Sequence, residues 1–370
     1  MKHFIVGPVE LYPCTREIYK NDYFYFRTQE FGSMVNDCLK RSNILIGNSI
    51  ENSLIYLTAS GTAAMEAVVE NCVNRNDKAL VINGGTFGHR FCELLEHHNI
   101  KFDSINLNWD EELKYSHIEQ FENKNYTTLF VNLHETSTGQ LYDIKMLSDF
   151  CKRNNMFLVV DAISTFLADK YDMENMGIDV TIISSQKGFC LSPGLSFVSF
   201  SQRMMDKINS RNEVVSKYFD FKDYFKNIER GQTPYTPAVF IMYELKAMLD
   251  YIDSIGGKEV FLKKTEEKCI HFRKLASENG LKIPSTYKLS NMLTPIICDN
   301  IEAGEIVKYL RDKYELCVNP CGGELADKMF RVSHIGNTTI EDIDNLVDKI
   351  VITTKEIKRK EFVYDKKYNI

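Results

Sequence analysis

Lys187 and Asp161 are the residues of this 370-residue chain whose types and spacing could carry the most demanding chemistry. Lys187 follows the run Thr181-Ile-Ile-Ser-Ser-Gln186 and opens a turn-rich segment ending at Pro193-Gly194. Asp161 closes an earlier apolar run, Met156-Phe-Leu-Val-Val160. Burial lowers the pKa of a lysine, and its neutral amine attacks an aldehyde to form a Schiff base. A buried aspartate needs a partner, and a protonated pyridine nitrogen is one. The two together describe a pyridoxal phosphate site, with Lys187 as covalent anchor and Asp161 keeping the ring an electron sink. Read singly, Lys187 better suits a strand cap or a pairing with a carboxylate, and Asp161 equally suits a cap of the turn that carries Ser164. Their separation by one strand–helix unit favours the cofactor.

Four further clusters have matching chemistry. In Thr58-Ala-Ser-Gly-Thr-Ala-Ala-Met65, small residues between a strand and a helix leave backbone N–H groups free at a helix start, where a phosphate gains hydrogen bonds and dipole. Ser60, Gly61 and Thr62 are the candidates, although a plain helix cap uses the same residue types. In Asn83-Gly-Gly-Thr-Phe-Gly-His-Arg90, Phe87 lies among glycines and offers a face to a flat heteroaromatic ring, or else starts a helix as a core residue. In His134-Glu-Thr-Ser-Thr-Gly139, Thr136 suits a hydrogen bond to a ring hydroxyl, while His134 and Glu135 fit packing or turn roles. In Phe330-Arg-Val-Ser-His-Ile-Gly336, Arg331 stands in a strand-like stretch and calls for an anion. A substrate carboxylate or phosphonate would match its fork, with Glu324 or Asp327 as the structural alternative.

These clusters need a scaffold that brings them to one edge. Strand-like runs at 53–58, 78–82, 128–133, 156–161, 179–184 and 195–200 alternate with helical patterns at 62–72, 87–98 and 144–155, after a helical stretch at 34–46. Such alternation predicts an α/β fold with a mainly parallel sheet covered on both faces, whose ligand site lies at the carboxyl ends of its strands. Beyond Thr236-Pro237 a long helix runs over 238–253 and breaks at Ile255-Gly-Gly257. Another follows to Asn279, then strands at 293–298 and 329–333 and helices at 302–313 and 339–354, which reads as a smaller α+β domain.

Composition narrows the partners. The charge is −6, from 45 basic and 51 acidic residues. The densest basic stretch, Lys355-Glu-Ile-Lys-Arg-Lys360, reads as a solvated helix end, so nucleic acid and anionic membrane are not expected partners. No run reaches the roughly 18–20 apolar residues of a membrane span, and the first residues carry no signal-peptide pattern. Ten cysteines are scattered without a C-x-x-C pair, and Cys317 and Cys321 lack partner histidines. Free thiols in a reducing cytosol and no metal are expected.

Ser185-Gln-Lys-Gly188 followed by Ser192-Pro-Gly194 resembles the Ser-Gln-Lys-x-x-x-x-Pro-Pro-Gly pattern of the class V aminotransferases of pyridoxal phosphate fold type I. Val6-Gly-Pro8, Arg27-Thr-Gln-Glu-Phe31, Ser60-Gly-Thr62, Glu135-Thr-Ser-Thr-Gly139, Asp161-Ala162, Thr233-Pro-Tyr-Thr-Pro237 and Phe330-Arg-Val-Ser-His-Ile-Gly336 are also similar, so the likeness covers nearly the whole chain. It extends to the alanine–glyoxylate and serine–glyoxylate enzymes, then to 2-aminoethylphosphonate–pyruvate transaminases. It implies a seven-stranded, mainly parallel sheet between helices, with an arm at 1–20, a large domain at 21–255 and a small domain at 256–370. It also implies a cytoplasmic homodimer that moves an amino group, by ping-pong chemistry, between a small amino acid of alanine or serine type and a 2-oxo acid such as pyruvate or glyoxylate.

By the same resemblance, Lys187 carries the Schiff base and shuttles the proton, and Asp161 pairs with the ring nitrogen. Phe87 and Ile163 press on the two ring faces. Ser60, Gly61, Thr62 and Gln186 hold the phosphate, with Thr236 and Thr233 reaching in from a second subunit, and Arg331 takes the substrate carboxylate. Two residues depart from the pattern: Ser192 replaces the first proline of the Pro-Pro-Gly turn, and Phe26 stands where many relatives have histidine. A cysteine desulfurase is the competing lyase, but those enzymes place histidine where Gln186 stands, and only Cys321, before Gly322-Gly323, suits their reactive thiol. A cofactor-binding module without turnover is the remaining alternative, and the presence of both Lys187 and Asp161 weighs against it.

Overall fold

The computed structural model describes the backbone of residues 1–368 apart from Asn21, Phe24 and Val214, with side chains described as far as Arg359. Asn21 and Ile370, outer limits of the two expected domains, and the Lys360 side chain lie outside the described residues. In chain order the strands are β1 (Lys2–Phe4), β2 (Leu54–Leu57), β3 (Lys78–Asn83), β4 (Lys101–Asn106), β5 (Thr128–Asn132) and the short pair β6 (His134–Glu135) and β7 (Gln140–Leu141). Then come β8 (Phe157–Asp161), β9 (Val180–Ser184), β10 (Ser196–Phe200), β11 (Leu293–Ile297), β12 (Leu316–Pro320) and β13 (Met329–Ser333).

Seven strands form one sheet in the order β2-β10-β9-β8-β5-β3-β4. Only β10 runs against its neighbours, pairing antiparallel with both β2 and β9; the other pairings are parallel. The β-branched and aliphatic runs of β5, β8 and β9 explain why these strands lie in the middle, since parallel strands covered on both faces need near-continuous apolar sequence. Successive side chains take opposite faces. Leu129, Val131, Leu158 and Val160 enter one hydrophobic cluster, while Phe130 and Val159 enter the other. Because β10 alone is reversed, the carboxyl ends of β2, β3, β5, β8 and β9 share one edge.

The second sheet has the order β1-β12-β13-β11 and packs on helices Lys258–Glu278, Ala303–Tyr314 and Ile340–Tyr368 through Phe272, Ile306, Leu310, Leu346 and Ile350. β1 joins it parallel to β12, Lys2 facing Leu316 and Phe4 facing Val318, so the first residues of the chain close this sheet. Helix Val239–Ser254 sends Ile241, Met242, Leu245, Met248 and Leu249 into the core of the larger sheet.

Candidate active site

Asp161 is the last residue of β8 and is 5% exposed. Its Oδ1 accepts the Ile163 amide at 2.8 Å. Burial pushes its pKa up to about 6, against the lowering effects of that amide and of Lys187. Lys187 follows β9 by three residues and is 9% exposed. Burial pushes its pKa down to about 8, while Asp161 acts to raise it. Desolvation thus outweighs their mutual attraction and drives both groups toward the neutral form, the condition a nucleophilic amine needs.

Lys187 Nζ lies 5.4 Å from the centroid of the Phe87 ring. Phe87 is half-buried and belongs to none of the hydrophobic clusters, so the ring is not a core residue. Its other close polar neighbour is Arg90, with Cζ at 5.3 Å. Gly84, Gly85 and Gly88 let the helix Thr86–His97 begin this near the sheet: a Cβ on Gly88 would come within 2.6 Å of Ile82 O, and one on Gly85 within 2.7 Å of the Glu135 carboxylate carbon. Glu135, fully buried, ties down the same helix start, accepting the Gly88 amide at 3.1 Å and Asn132 Nδ2 at 2.8 Å.

Ser60 caps the helix Gly61–Cys72, its hydroxyl accepting the Ala63 amide at 3.2 Å. The Gly61 and Thr62 amides have no protein acceptor among the described residues, leaving two donors at the positive end of the helix. A Cβ on Gly61 would lie 2.6 Å from Ile163 Cδ1, so no side chain fits between the helix start and Ile163. Thr62 Oγ1 accepts from Arg90 Nη1 at 3.2 Å. Gln186 Oε1 accepts the Ser184 hydroxyl at 2.5 Å.

Thr136 donates to Ser164 Oγ at 2.8 Å, and Ser164 in turn donates to His134 O at 3.1 Å. His134 is buried against Ser164 O at 2.8 Å through Nδ1, and burial pushes its pKa down to about 3; a neutral imidazole is built into the wall. Arg331 is half-buried, its Nη1 donating to Thr136 O at 2.9 Å and its Nη2 to Pro320 O at 2.6 Å. Glu324 and Asp327 do not pair with it in the hydrogen bonds described for its guanidinium, and Arg331 Nε is buried with no partner. The cation is held by neutral carbonyls and keeps donors unspent.

Lys187, Asp161, Phe87, Ser60, Gly61, Thr62, Ile163, Gln186, Thr136 and Arg331 therefore stand on strand ends, helix starts and the loops between them at one edge of the sheet, with Arg331 contributed by β13. Thr233 and Thr236 are not drawn into this cluster. Thr233 is buried and donates to Tyr235 O at 2.7 Å, and Thr236 is exposed. The chain just after them does touch the loop before Ser60, where Ala238 N donates to Thr58 Oγ1 at 2.9 Å, and Tyr218, stacked on Tyr235, donates to Thr58 O at 3.0 Å. Arg90 is the residue that sequence reasoning missed. Its signal was the i,i+3 spacing from Phe87 at a helix start, which puts both on one face.

A model of the aminotransferase class-V family matches residues 25–346. The chain belongs to that family. Among its relatives are a soluble hydrogenase 42 kDa subunit from Anabaena cylindrica, 26% identical over 91% of this chain and 88% of the relative, and a serine–glyoxylate aminotransferase from Arabidopsis thaliana, 26% identical over 90% and 85%. The solved alanine–glyoxylate aminotransferase from Nostoc sp. superposes with a TM-score of 0.90 at 21% identity, covering 96% of each chain. The architecture is that of the fold type I family, as the resemblance implied. Among the described residues no helix is long and apolar enough to cross a membrane.

Proposed function

We propose that this class-V aminotransferase holds pyridoxal phosphate on Lys187 and moves an amino group from a small amino acid of alanine or serine type to a 2-oxo acid, glyoxylate or pyruvate. One observation carries the reading: a buried amine with its pKa pushed down to about 8 stands over the ring of Phe87, which no hydrophobic cluster claims, opposite a buried carboxylate. The residues suit the cofactor. Phe87 offers a stacking face, and Asp161 offers a carboxylate for the ring nitrogen. The free amides of Gly61 and Thr62, with Ser60 and Gln186 nearby, offer donors for a phosphate. When bound, the cofactor supplies an electron sink for the bond broken at the substrate α-carbon.

The chain's own groups supply the rest. Lys187 is the amine placed to take and return the α-proton, while the nearby carboxylates of Asp161 and Glu135 already accept backbone amides. Arg331 orients the substrate: its carbonyl-braced fork accepts a carboxylate without giving up a protein ion pair. The names of the relatives support glyoxylate as acceptor. A desulfurase reading finds less support, because Cys321 is buried in a small apolar cluster with Leu325 and Met329, and burial raises its thiol pKa. In the test, purified protein loaded with pyridoxal phosphate is reduced with borohydride and digested. The pyridoxyl group is expected on Lys187; a label on another lysine, or none, sinks the proposal. A panel of alanine, serine, aspartate and 2-aminoethylphosphonate against pyruvate and glyoxylate then fixes the substrates, and turnover only with the phosphonate would replace the amino acid reading.

A further inference from the structure

The loop that presents Lys187 is tied to a carboxylate outside the site. Glu244 lies on helix Val239–Ser254 and is 0% exposed. Its described partners are neutral donors: Ser192 N–H to Oε2 at 2.6 Å, Ser192 Oγ to Oε1 at 2.8 Å, and Tyr19 Oη to Oε1 at 2.5 Å. Tyr19 comes from the short helix Glu17–Lys20, its ring stacked on Phe240 at 5.4 Å, so arm, loop and long helix meet at one side chain.

From Ser192 the bonds lead back to Lys187. Ser192 O accepts the Ser185 hydroxyl at 2.7 Å, Leu191 N donates to Ser185 O at 3.0 Å, and Cys190 N donates to Lys187 O at 2.8 Å. Cys190 has a φ of 56°, a conformation that a non-glycine residue keeps only when its surroundings hold it. Gly188 packs directly on the Phe166 backbone, since a Cβ there would fall 2.0 Å from Phe166 O. Ser192 is also the residue that departs from the family's Pro-Pro-Gly turn. A proline has neither the N–H nor the hydroxyl that Glu244 accepts, so both bonds exist because of the departure.

We infer that Glu244, acting through Ser192, is a positioning residue for Lys187: it fixes residues 188–194 so that the amine stays over Phe87. The inference rests on Lys187 being the cofactor anchor, and its test separates the two. Three variants, Glu244→Met, Ser192→Pro and the pair, are compared with wild type by amide exchange of the cofactor-free protein, by the rate of Schiff base formation with added pyridoxal phosphate, and by the pH midpoint of the visible band of the loaded protein. In Glu244→Met, exchange at Cys190 and Leu191 is expected to quicken roughly tenfold. Schiff base formation should slow by about the same factor, and the midpoint should move by about one pH unit as the amine is resolvated. Ser192→Pro should resemble it, because Glu244 keeps only Tyr19. The double variant should regain most of the loss, because proline fixes the turn and no carboxylate is left short of donors.

Strict additivity of the two changes overturns the inference, and so does a lower Tm with all three local readouts unmoved, which would make Glu244 a stability residue only. Should Glu244→Met fail to fold, Ser192→Ala and Tyr19→Phe each remove one donor and should give the same changes at smaller size; no change in either rejects the role. Should wild-type protein take no cofactor on Lys187, the functional proposal fails, and the exchange comparison alone still decides whether Glu244 fixes the loop.

Discussion

A lysine amine is a nucleophile only when neutral, and a buried aspartate must find a cation or lose its charge. Cofactor-free protein meets both demands without relief. The folded pKa of Lys187 is depressed to about 8, so its contribution to stability is present above its ordinary value and lost as pH falls through 8. The folded pKa of Asp161 is raised to about 6, so its contribution is present at low pH and lost as pH rises through 6. Between about 6 and 8 both penalties act, and a Schiff base with a paired pyridinium removes both. The Tm gained on loading pyridoxal phosphate should therefore peak in that window, as differential scanning fluorimetry from pH 5 to 10 would show. A gain flat across this range would mean that neither group meets the cofactor. Arg331 gives a second prediction. Two carbonyls grip its two Nη groups, and lysine could satisfy only one while losing the planar fork. Arg331→Lys should cost ~2–3 kcal/mol, about 30–150-fold in kcat/KM for the amino acid, with cofactor affinity little changed. Unchanged kcat/KM, or lost cofactor with the fold intact, removes Arg331 from the substrate site.

Helix starts and strand ends carry the next level of the argument, and the start at Ser60-Gly61 separates binding from folding. Alanine at a helix position is intrinsically favoured over glycine by up to ~1 kcal/mol. Yet at Gly61 its Cβ would lie 2.6 Å from Ile163 Cδ1, the free end of a side chain that can only swing aside. Gly61→Ala should thus leave the Tm of cofactor-free protein nearly unchanged and weaken pyridoxal phosphate about tenfold, ~1.4 kcal/mol, by titration. Equal affinity would show that Ile163 does not face the ring. At this level the chain was legible where the period was clean. The six apolar runs became β2, β3, β5, β8, β9 and β10, and the helices at 62–72 and 144–155 shifted by a residue or two. β4 was not legible because Lys101-Phe-Asp-Ser-Ile-Asn106 is an edge strand with charges on its exposed face, which lowers its apolar signal. β1 and β12 were missed because they are short and their pairing is non-local: β1 finds its partner β12 across more than three hundred residues, and β12 meets β13 through the pairs Asn319–Arg331 and Pro320–Phe330. The helix at 34–46 begins earlier, at Gln29, because Thr28 accepts the Phe31 amide and caps it. In the candidate site, Lys187, Asp161 and Phe87 were nominated from residue type and position, whereas Arg90, although three residues on from Phe87, has a partner, Thr62, that only the fold brings to it.

Subunit contacts belong to the whole molecule, and two features lead to them. Aromatic surface is exposed around the arm and the long helix: Tyr25 at 65%, Tyr19 at 52% and Phe240 at 42%. Rings there touch one another, Tyr23 and Phe240 at 4.3 Å and Tyr25 and Phe26 at 4.9 Å, forming the kind of apolar patch that marks an interface. Thr236, which the family pattern assigns to a neighbour's phosphate, is exposed and carries no described hydrogen bond to the cluster of its own chain. If the working unit is a dimer with shared sites, a carboxylate at 236 should repel the phosphate of the partner's cofactor while sparing the fold of its own chain. Thr236→Glu should then bind pyridoxal phosphate poorly, although its own Lys187 is intact. Mixing it with Lys187→Ala subunits should restore function, because in a mixed dimer the intact Lys187 site receives Thr236 from the other chain. With random exchange half the dimers are mixed and each has one whole site, so about a quarter of wild-type activity should return. No recovery after exchange verified by native mass spectrometry, or a fully active monomer in sedimentation at assay concentration, would confine the site to one chain.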